Sequence, residues 1–146
     1  CGHCEPCLGV NDNRCRNRQS IGHHVDGTFA EYIRIPERCA MTFPERVSFG
    51  EASVAGCAVS TAFHAVDVSG LEAGDTAAVF GVGGVGLQAV LWARYRGAKT
   101  VVAVDLSDEQ LAVAEDFGAD VTVNPQRDAV LDRIDEVTDR IAARTS

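Results

Sequence analysis

The sequence predicts an α/β protein that contains the first half of a doubly wound parallel sheet, with the element order βαβαβα. Two observations predict this fold class. Short apolar strands alternate with segments of helical periodicity in the second part of the chain. The second of these strands, Thr100–Val104, is apolar throughout, as expected of a parallel strand that is covered on both faces.

The chain begins with a cluster of cysteines at metal-ligand spacing. Cys1, Cys4 and Cys7 form C-x-x-C-x-x-C, and Cys15 follows. Four thiolates complete the tetrahedral shell of zinc, so the predicted site is structural and has no open position for a substrate. An iron–sulfur cluster and a pair of disulfides are the alternatives. The ligand count and the spacing favour zinc.

A predicted strand and two predicted helices lead from this loop to the sheet. Residues 29–35 read as a strand that Pro36 ends. Ser48 and Glu51 match a capping box at the start of a first helix, and residues 56–66 read as a second helix. Cys57 lies near the start of that second helix. Taken alone, a cysteine among glycine and alanine is most often a buried apolar residue.

A glycine-rich turn follows the first strand of the sheet. Gly81, Gly83 and Gly86 form G-x-G-x-x-G between a strand and a helix. In a dinucleotide-binding unit, the first glycine permits the turn, the second admits the pyrophosphate, and the third lets the helix lie close to the strand. A purely structural glycine turn is the alternative. The surrounding strand and helix favour cofactor binding.

Two further features complete the predicted dinucleotide site. The backbone N–H groups of Gly84 and Val85, at the start of the helix, would face the phosphates. Asp105 ends the second strand and would accept hydrogen bonds from the adenosine ribose. Asp108 and Glu109 follow, and residues 106–109 include no arginine or lysine to balance a 2′-phosphate. We therefore expect NAD(H) rather than NADP(H).

Three more elements complete the predicted βαβαβα unit. Ser107 is a predicted cap for the second helix of the unit, and Val121–Val123 is its third strand. An amphipathic helix is predicted over residues 128–144. Apolar residues recur at helical spacing in the first and last helices of the unit: Val85, Ala89, Trp92 and Ala93 in the first, and Val130, Leu131, Ile134, Val137 and Ile141 in the last.

Composition excludes several classes of protein. The chain has 146 residues, of which 46% are hydrophobic and 23% charged, which is typical of a globular protein. A net charge of −8 argues against nucleic-acid binding, and no apolar run is long enough for a membrane span. Cysteines at metal spacing beside a βαβ pattern favour a cytoplasmic protein. The first residue is not methionine, so we expect a segment of a longer protein.

These motifs together resemble zinc-dependent alcohol dehydrogenases of the medium-chain dehydrogenase/reductase family. The cysteine loop is similar to the structural zinc loop of the family, residues 27–32 to its G-x-F-A-E-Y strand, and residues 56–61 to its G-C-x-x-S/T-T segment. The resemblance implies that residues 1–50 are the C-terminal part of a GroES-like catalytic domain. It implies that residues 51–146 are a truncated NAD-binding Rossmann domain.

The resemblance also implies an activity and further site residues. Cys57 would be a ligand of a catalytic zinc that polarises the alcohol oxygen, and Thr61 would lie against the nicotinamide. The other catalytic-zinc ligands of the family are not in this chain. The implied reaction oxidises a small-molecule alcohol to an aldehyde or ketone with NAD as hydride acceptor, in a homo-oligomer.

Two other functions compete with this interpretation. A zinc-binding interaction module would use the cysteine loop for protein contacts, but it leaves the glycine turn and Asp105 unexplained. A zinc-free reductase of the same fold leaves the cysteine loop and Cys57 unexplained.

Overall fold

The computed structural model describes residues 1–9 and 11–142, without the side chains of residues 38 and 139–142. The chain divides into two compact units, Cys1–Phe43 and Pro44–Ser146. No helix in the described ranges is both long and apolar enough to cross a bilayer.

The first unit consists of turns around the cysteine loop. Its described residues form one short helix, α1 (Glu5–Leu8), and two 3₁₀ turns, Asp12–Arg14 and Glu37–Cys39. The strand predicted over residues 29–35 is wrong, because these residues adopt no strand conformation and Phe29 and Tyr32 are fully or largely exposed. A strand forms only against a hydrogen-bonding partner, and no described residue pairs with this segment.

Helices open the second unit. In α2 (Phe49–Val54), the predicted capping box is present: the Ser48 hydroxyl accepts the Glu51 N–H, and the Glu51 carboxylate accepts the Ser48 N–H. A single π-helical turn, Ala55–Val59, connects α2 to α3 (Ser60–Val68). The sequence did not predict this π turn, which contains Cys57.

The rest of the unit is the predicted βαβαβα arrangement. Three parallel strands lie in the order β1-β2-β3. This is half of a doubly wound sheet, and it confirms the predicted fold class. The elements are β1 (Thr76–Phe80), α4 (Gly84–Tyr95), β2 (Thr100–Val104), α5 (Asp108–Asp116), β3 (Val121–Val123) and α6 (Val130–Ala142).

Apolar side chains cover both faces of β2, as its sequence predicts. Val101 and Ala103 belong to one buried cluster with residues of α4 and α5. Val102 and Val104 belong to a second cluster, which includes Val123 and is covered by α6. Alternate residues of a strand point to opposite faces, so an all-apolar strand requires helices on both sides.

The helical faces differ in part from their prediction. Val130, Ile134 and Val137 of α6 pack on the sheet, whereas Leu131 is 74% exposed. Leu131 directly follows Val130 and is therefore turned about 100° away from the buried stripe. In α4, Val85 is exposed, and the buried residues are Val90 and Ala93. The Ile141 side chain and the predicted end of this helix near residue 144 lie outside what the structure describes.

Arg94 joins the end of α4 to the loop before β3. Its Nε donates to the Gly118 carbonyl at 2.6 Å, its Nη1 donates to the Ala98 carbonyl at 3.1 Å, and its guanidinium pairs with Asp120. Asp120 also accepts the Val101 N–H at 2.7 Å. One arginine therefore fixes two loops at the amino ends of the strands.

Candidate functional site

The glycine turn has the geometry that its sequence predicts. Gly81 has φ +83°, a region that favours glycine, and its N–H donates to the Val104 carbonyl at 2.8 Å. A Cβ atom at Gly86 would lie 1.9 Å from the Gly81 carbonyl oxygen, so only glycine permits this approach of helix to turn. A Cβ at Gly83 would meet open space, which leaves room for a ligand.

The amino end of α4 presents backbone donors that no side chain caps. Its N-cap residue is Gly83, and the first helical hydrogen bond joins the Leu87 N–H to the Gly83 carbonyl at 2.9 Å. The N–H groups of Gly84, Val85 and Gly86 come before that bond. As the first N–H groups of the helix, they have no carbonyl acceptor within it. Such donors, together with the helix dipole, suit an anionic group.

Asp105 lies beside this turn. Its carboxylate accepts the Val82 N–H at 2.8 Å and the Ser107 N–H at 2.9 Å. The N–H groups of Ser107 and then Val82 hold the pKa of Asp105 below its ordinary value, so the carboxylate stays ionised at neutral pH. Asp105 thus ties the glycine turn to the loop after β2.

A cleft of about 270 Å³ opens at the carboxyl ends of the strands, where ligands bind in open α/β sheets. Its walls come from the ends of β1 and β2 and from the loops after β2 and β3. The lining residues are Phe80, Gly81, Val104, Asp105, Leu106 and Pro125.

The four cysteines of the loop converge on one point. Their sulfur atoms all lie within 4.8 Å of one another. The four pairs of sulfur atoms in hydrogen-bonding contact are 3.5 to 4.0 Å apart. Tetrahedral zinc with Zn–S distances of about 2.3 Å requires sulfur separations of about 3.8 Å. The donor set therefore fits a single zinc ion.

The same distances bear on the alternative occupants. A disulfide holds its sulfurs about 2.05 Å apart, and all six cysteines of the chain are free. A multi-iron cluster must fit several metal atoms between its ligands, and sulfur separations of 3.5 to 4.0 Å suit one ion better.

The Cys7 thiol has a lowered pKa. A hydrogen bond from the Gly2 N–H has the larger effect and one from the Cys4 thiol the smaller, and they lower the pKa of Cys7 to about 7, which makes a thiolate available near neutral pH.

Cys57 and Thr61 lie on the exposed side of the helical segment before the sheet. The Cys57 thiol is exposed on the π turn, which counts against its interpretation as a buried apolar residue. Thr61 follows one helical turn later and is also exposed. Within the part of the chain that the structure describes, only the cysteine loop brings three or more potential metal ligands together.

Sequence reasoning missed a polar network beside the cleft. Asn124, which is only 3% exposed, donates to the Leu106 carbonyl at 3.0 Å and to the Asp108 carboxylate at 2.8 Å. Asp108 also accepts from Arg127 at 2.7 Å. The available signal was a polar residue directly after a buried strand, but no spacing rule connects Asn124 to Asp108.

Comparisons with known proteins agree with this geometry. The sequence model of the zinc-binding dehydrogenases matches residues 84–144. An alcohol dehydrogenase of Geobacillus stearothermophilus is 42% identical over 128 residues, which cover 88% of this chain and 38% of that protein. The chain thus spans well under half the length of this relative.

Solved structures share the fold over nearly the whole chain. A zinc-binding dehydrogenase from Sinorhizobium meliloti 1021, solved with NADP, is 37% identical with a TM-score of 0.81; the match covers 89% of this chain and 38% of that one. An NAD-dependent alcohol dehydrogenase is 36% identical with a TM-score of 0.86, over 94% of this chain and 40% of that one. Together, the match to the zinc-binding dehydrogenase model, the alcohol dehydrogenase relative and the solved structures support the assignment of this chain to the alcohol dehydrogenases of the medium-chain dehydrogenase/reductase family.

Proposed function

We propose that the chain contributes the structural zinc loop and part of the cofactor site of an NAD-dependent zinc alcohol dehydrogenase. The reaction oxidises an alcohol to an aldehyde or ketone by hydride transfer. The observation that carries the proposal is the contact between the start of α4 and the glycine turn. This close contact leaves no room for a Cβ at Gly86, while a Cβ at Gly83 would face open space. A dinucleotide-binding turn requires this combination of close packing and an open approach.

The dinucleotide would be held by backbone donors and one carboxylate. The N–H groups of Gly84, Val85 and Gly86 would bind the pyrophosphate at the uncapped start of α4. Gly81 and Gly83 leave the backbone accessible there. Asp105 is ionised and lines the cleft, so it can accept hydrogen bonds from the ribose hydroxyl groups.

The cysteine loop would hold a structural zinc ion through Cys1, Cys4, Cys7 and Cys15. The sulfur separations support a closed tetrahedron. Because all four positions are occupied by protein, this ion would not bind the substrate. Its role would be to stabilise a loop in which only Cys15 is buried among the ligands.

Cys57 would be one ligand of a separate catalytic zinc, and Thr61 would lie against the nicotinamide. The exposure of Cys57 supports this assignment, since a ligand must be accessible to its metal. When bound, the nicotinamide supplies the hydride acceptor and the zinc supplies a Lewis acid toward the alcohol oxygen. This chain would then orient the two groups around the reacting carbon.

The cofactor would be NAD rather than NADP. The Asp105 carboxylate lines the cleft and would lie on its ribose side, where its negative charge would oppose a 2′-phosphate of charge about −2. Relatives of both kinds exist, since one solved structure is described as bound to NADP and another as NAD-dependent.

The test measures NAD⁺ binding and zinc content on the same preparation of the intact protein. Calorimetric titration with NAD⁺ should show one site per chain, and elemental analysis should show two zinc ions. Zinc without NAD⁺ binding would favour an interaction module. NAD⁺ or NADP⁺ binding without zinc would favour a zinc-free reductase. Either result would refute the proposed dehydrogenase.

A further inference from the structure

We propose that Asp108 and Arg127 control the choice between NAD and NADP. The Asp108 carboxylate holds the Arg127 guanidinium and so withholds the cation that would otherwise bind a 2′-phosphate at the cleft. The inference rests on the proposed dinucleotide site and adds two residues to it. These residues lie 19 positions apart in the sequence, and only the fold brings them together.

Two carboxylates lie close to the Arg127 guanidinium. Arg127 Nη1 donates to Asp108 Oδ2 at 2.7 Å, and Arg127 Nε lies 4.0 Å from Asp128 Oδ2. The side chains of Arg127 and Asp108 are 59% and 60% exposed. Arg127 can therefore leave Asp108 without breaking any buried packing, because both side chains are largely in water.

The polar network described above connects the pair to the lining of the cleft. Asn124 Nδ2 joins Asp108 Oδ1 at 2.8 Å to the Leu106 carbonyl at 3.0 Å. Leu106 lines the cleft next to Asp105, and Pro125, the neighbour of Asn124, lines it from the other loop. Asn124 is 3% exposed, so this link is buried, and Arg127 lies only two residues beyond Pro125 in the sequence.

The charges near the cleft would produce the proposed selectivity. Asp105, Asp108 and Glu109 carry three negative charges, and Arg127, the nearby cation, is neutralised by Asp108. A guanidinium binds phosphate through paired, charge-assisted hydrogen bonds. Loss of the Asp108 charge would remove one repulsive group and would release that guanidinium at the same time.

The test compares dissociation constants for NAD⁺ and NADP⁺, measured by calorimetry on the intact protein. Asp108→Asn keeps an amide oxygen that can accept the Asn124 hydrogen bond. It should lower the ratio of the NADP⁺ constant to the NAD⁺ constant by about tenfold, which is the effect of one charge-assisted hydrogen bond. Asp108→Ser, a second variant without the carboxylate, should also lower this ratio.

Three further variants separate this mechanism from a general charge effect. Arg127→Gln alone should not lower the ratio, because the arginine is already held by Asp108. Adding Arg127→Gln to Asp108→Asn should abolish most of the gain in NADP⁺ affinity. Glu136→Gln removes a carboxylate from another exposed ion pair, with Arg133 on α6, and should leave the ratio unchanged.

Each remaining outcome overturns a defined part of the reasoning. An unchanged ratio in folded Asp108→Asn and Asp108→Ser, with NAD⁺ binding intact, would leave the pair as an ordinary surface ion pair and refute the inference alone. A gain that persists in the double variant would exclude Arg127. If the parent protein binds neither dinucleotide, the proposed function and the inference both fail.

Discussion

Gly86 provides a sharp test of the glycine turn. In Gly86→Ala, the new Cβ would lie 1.9 Å from the Gly81 carbonyl oxygen, about 1.1 Å inside the 3.0 Å that real Cβ contacts respect. The atoms on both sides belong to the backbone, so no change of rotamer can relieve the contact. Either α4 or the turn must move by about an ångström.

The magnitude follows from two opposing terms. Overpacking costs about 1 to 3 kcal/mol, and the rigid backbone on both sides places this case near the upper end. Alanine in a helix is about 1 kcal/mol more favourable than glycine. The net expectation is a loss of about 2 kcal/mol in the free energy of unfolding. Displacement of the phosphate donors should also raise the NAD⁺ dissociation constant about tenfold or more.

Denaturant unfolding of the intact protein measures the first effect, and calorimetry measures the second. Gly84→Ala is the matched control, since a Cβ at Gly84 meets nothing within 4 Å. This variant should be as stable as the parent or slightly more stable. Equal unfolding midpoints for Gly86→Ala and Gly84→Ala would refute the close contact between helix and turn.

Three further predictions concern other parts of the chain. Cys4→Ser should reduce the zinc content by one ion per chain in elemental analysis, whereas Cys39→Ser, outside the sulfur cluster, should not; equal losses would contradict the four-cysteine site. Asp105→Ala should raise the NAD⁺ dissociation constant about tenfold, and an unchanged constant in calorimetry would remove Asp105 from the site. Arg94→Lys should lower the free energy of unfolding, measured with denaturant, by about 1 to 2 kcal/mol, because a single ammonium group cannot donate to both of the carbonyl acceptors of Arg94 at once. Arg133→Lys, in an exposed pair, should change stability by less than about 0.5 kcal/mol, and equal effects would count against the Arg94 network.

Local patterns were sufficient where neighbouring residues determine the structure. The capping box at Ser48 and the turn at Gly81 depend on hydrogen bonds and backbone angles within a few residues. The cysteine loop likewise brings its ligands together within fifteen residues. By contrast, the segment 29–35 has the composition of a strand but lacks a pairing partner among the described residues, and it does not form one.

The sequence by itself determined the order of the βαβαβα elements, the two covered faces of β2, the cluster of four cysteines and the glycine turn with Asp105. These features follow from hydrophobic periodicity and short-range spacing. Only the tertiary structure decided that Leu131 faces solvent and that Asn124 links the loops after β2 and β3. It also decided that Arg127 reaches Asp108. Such contacts join residues far apart in the chain, and their positions depend on how the strands stack and how each helix is rotated against the sheet, which no local pattern encodes.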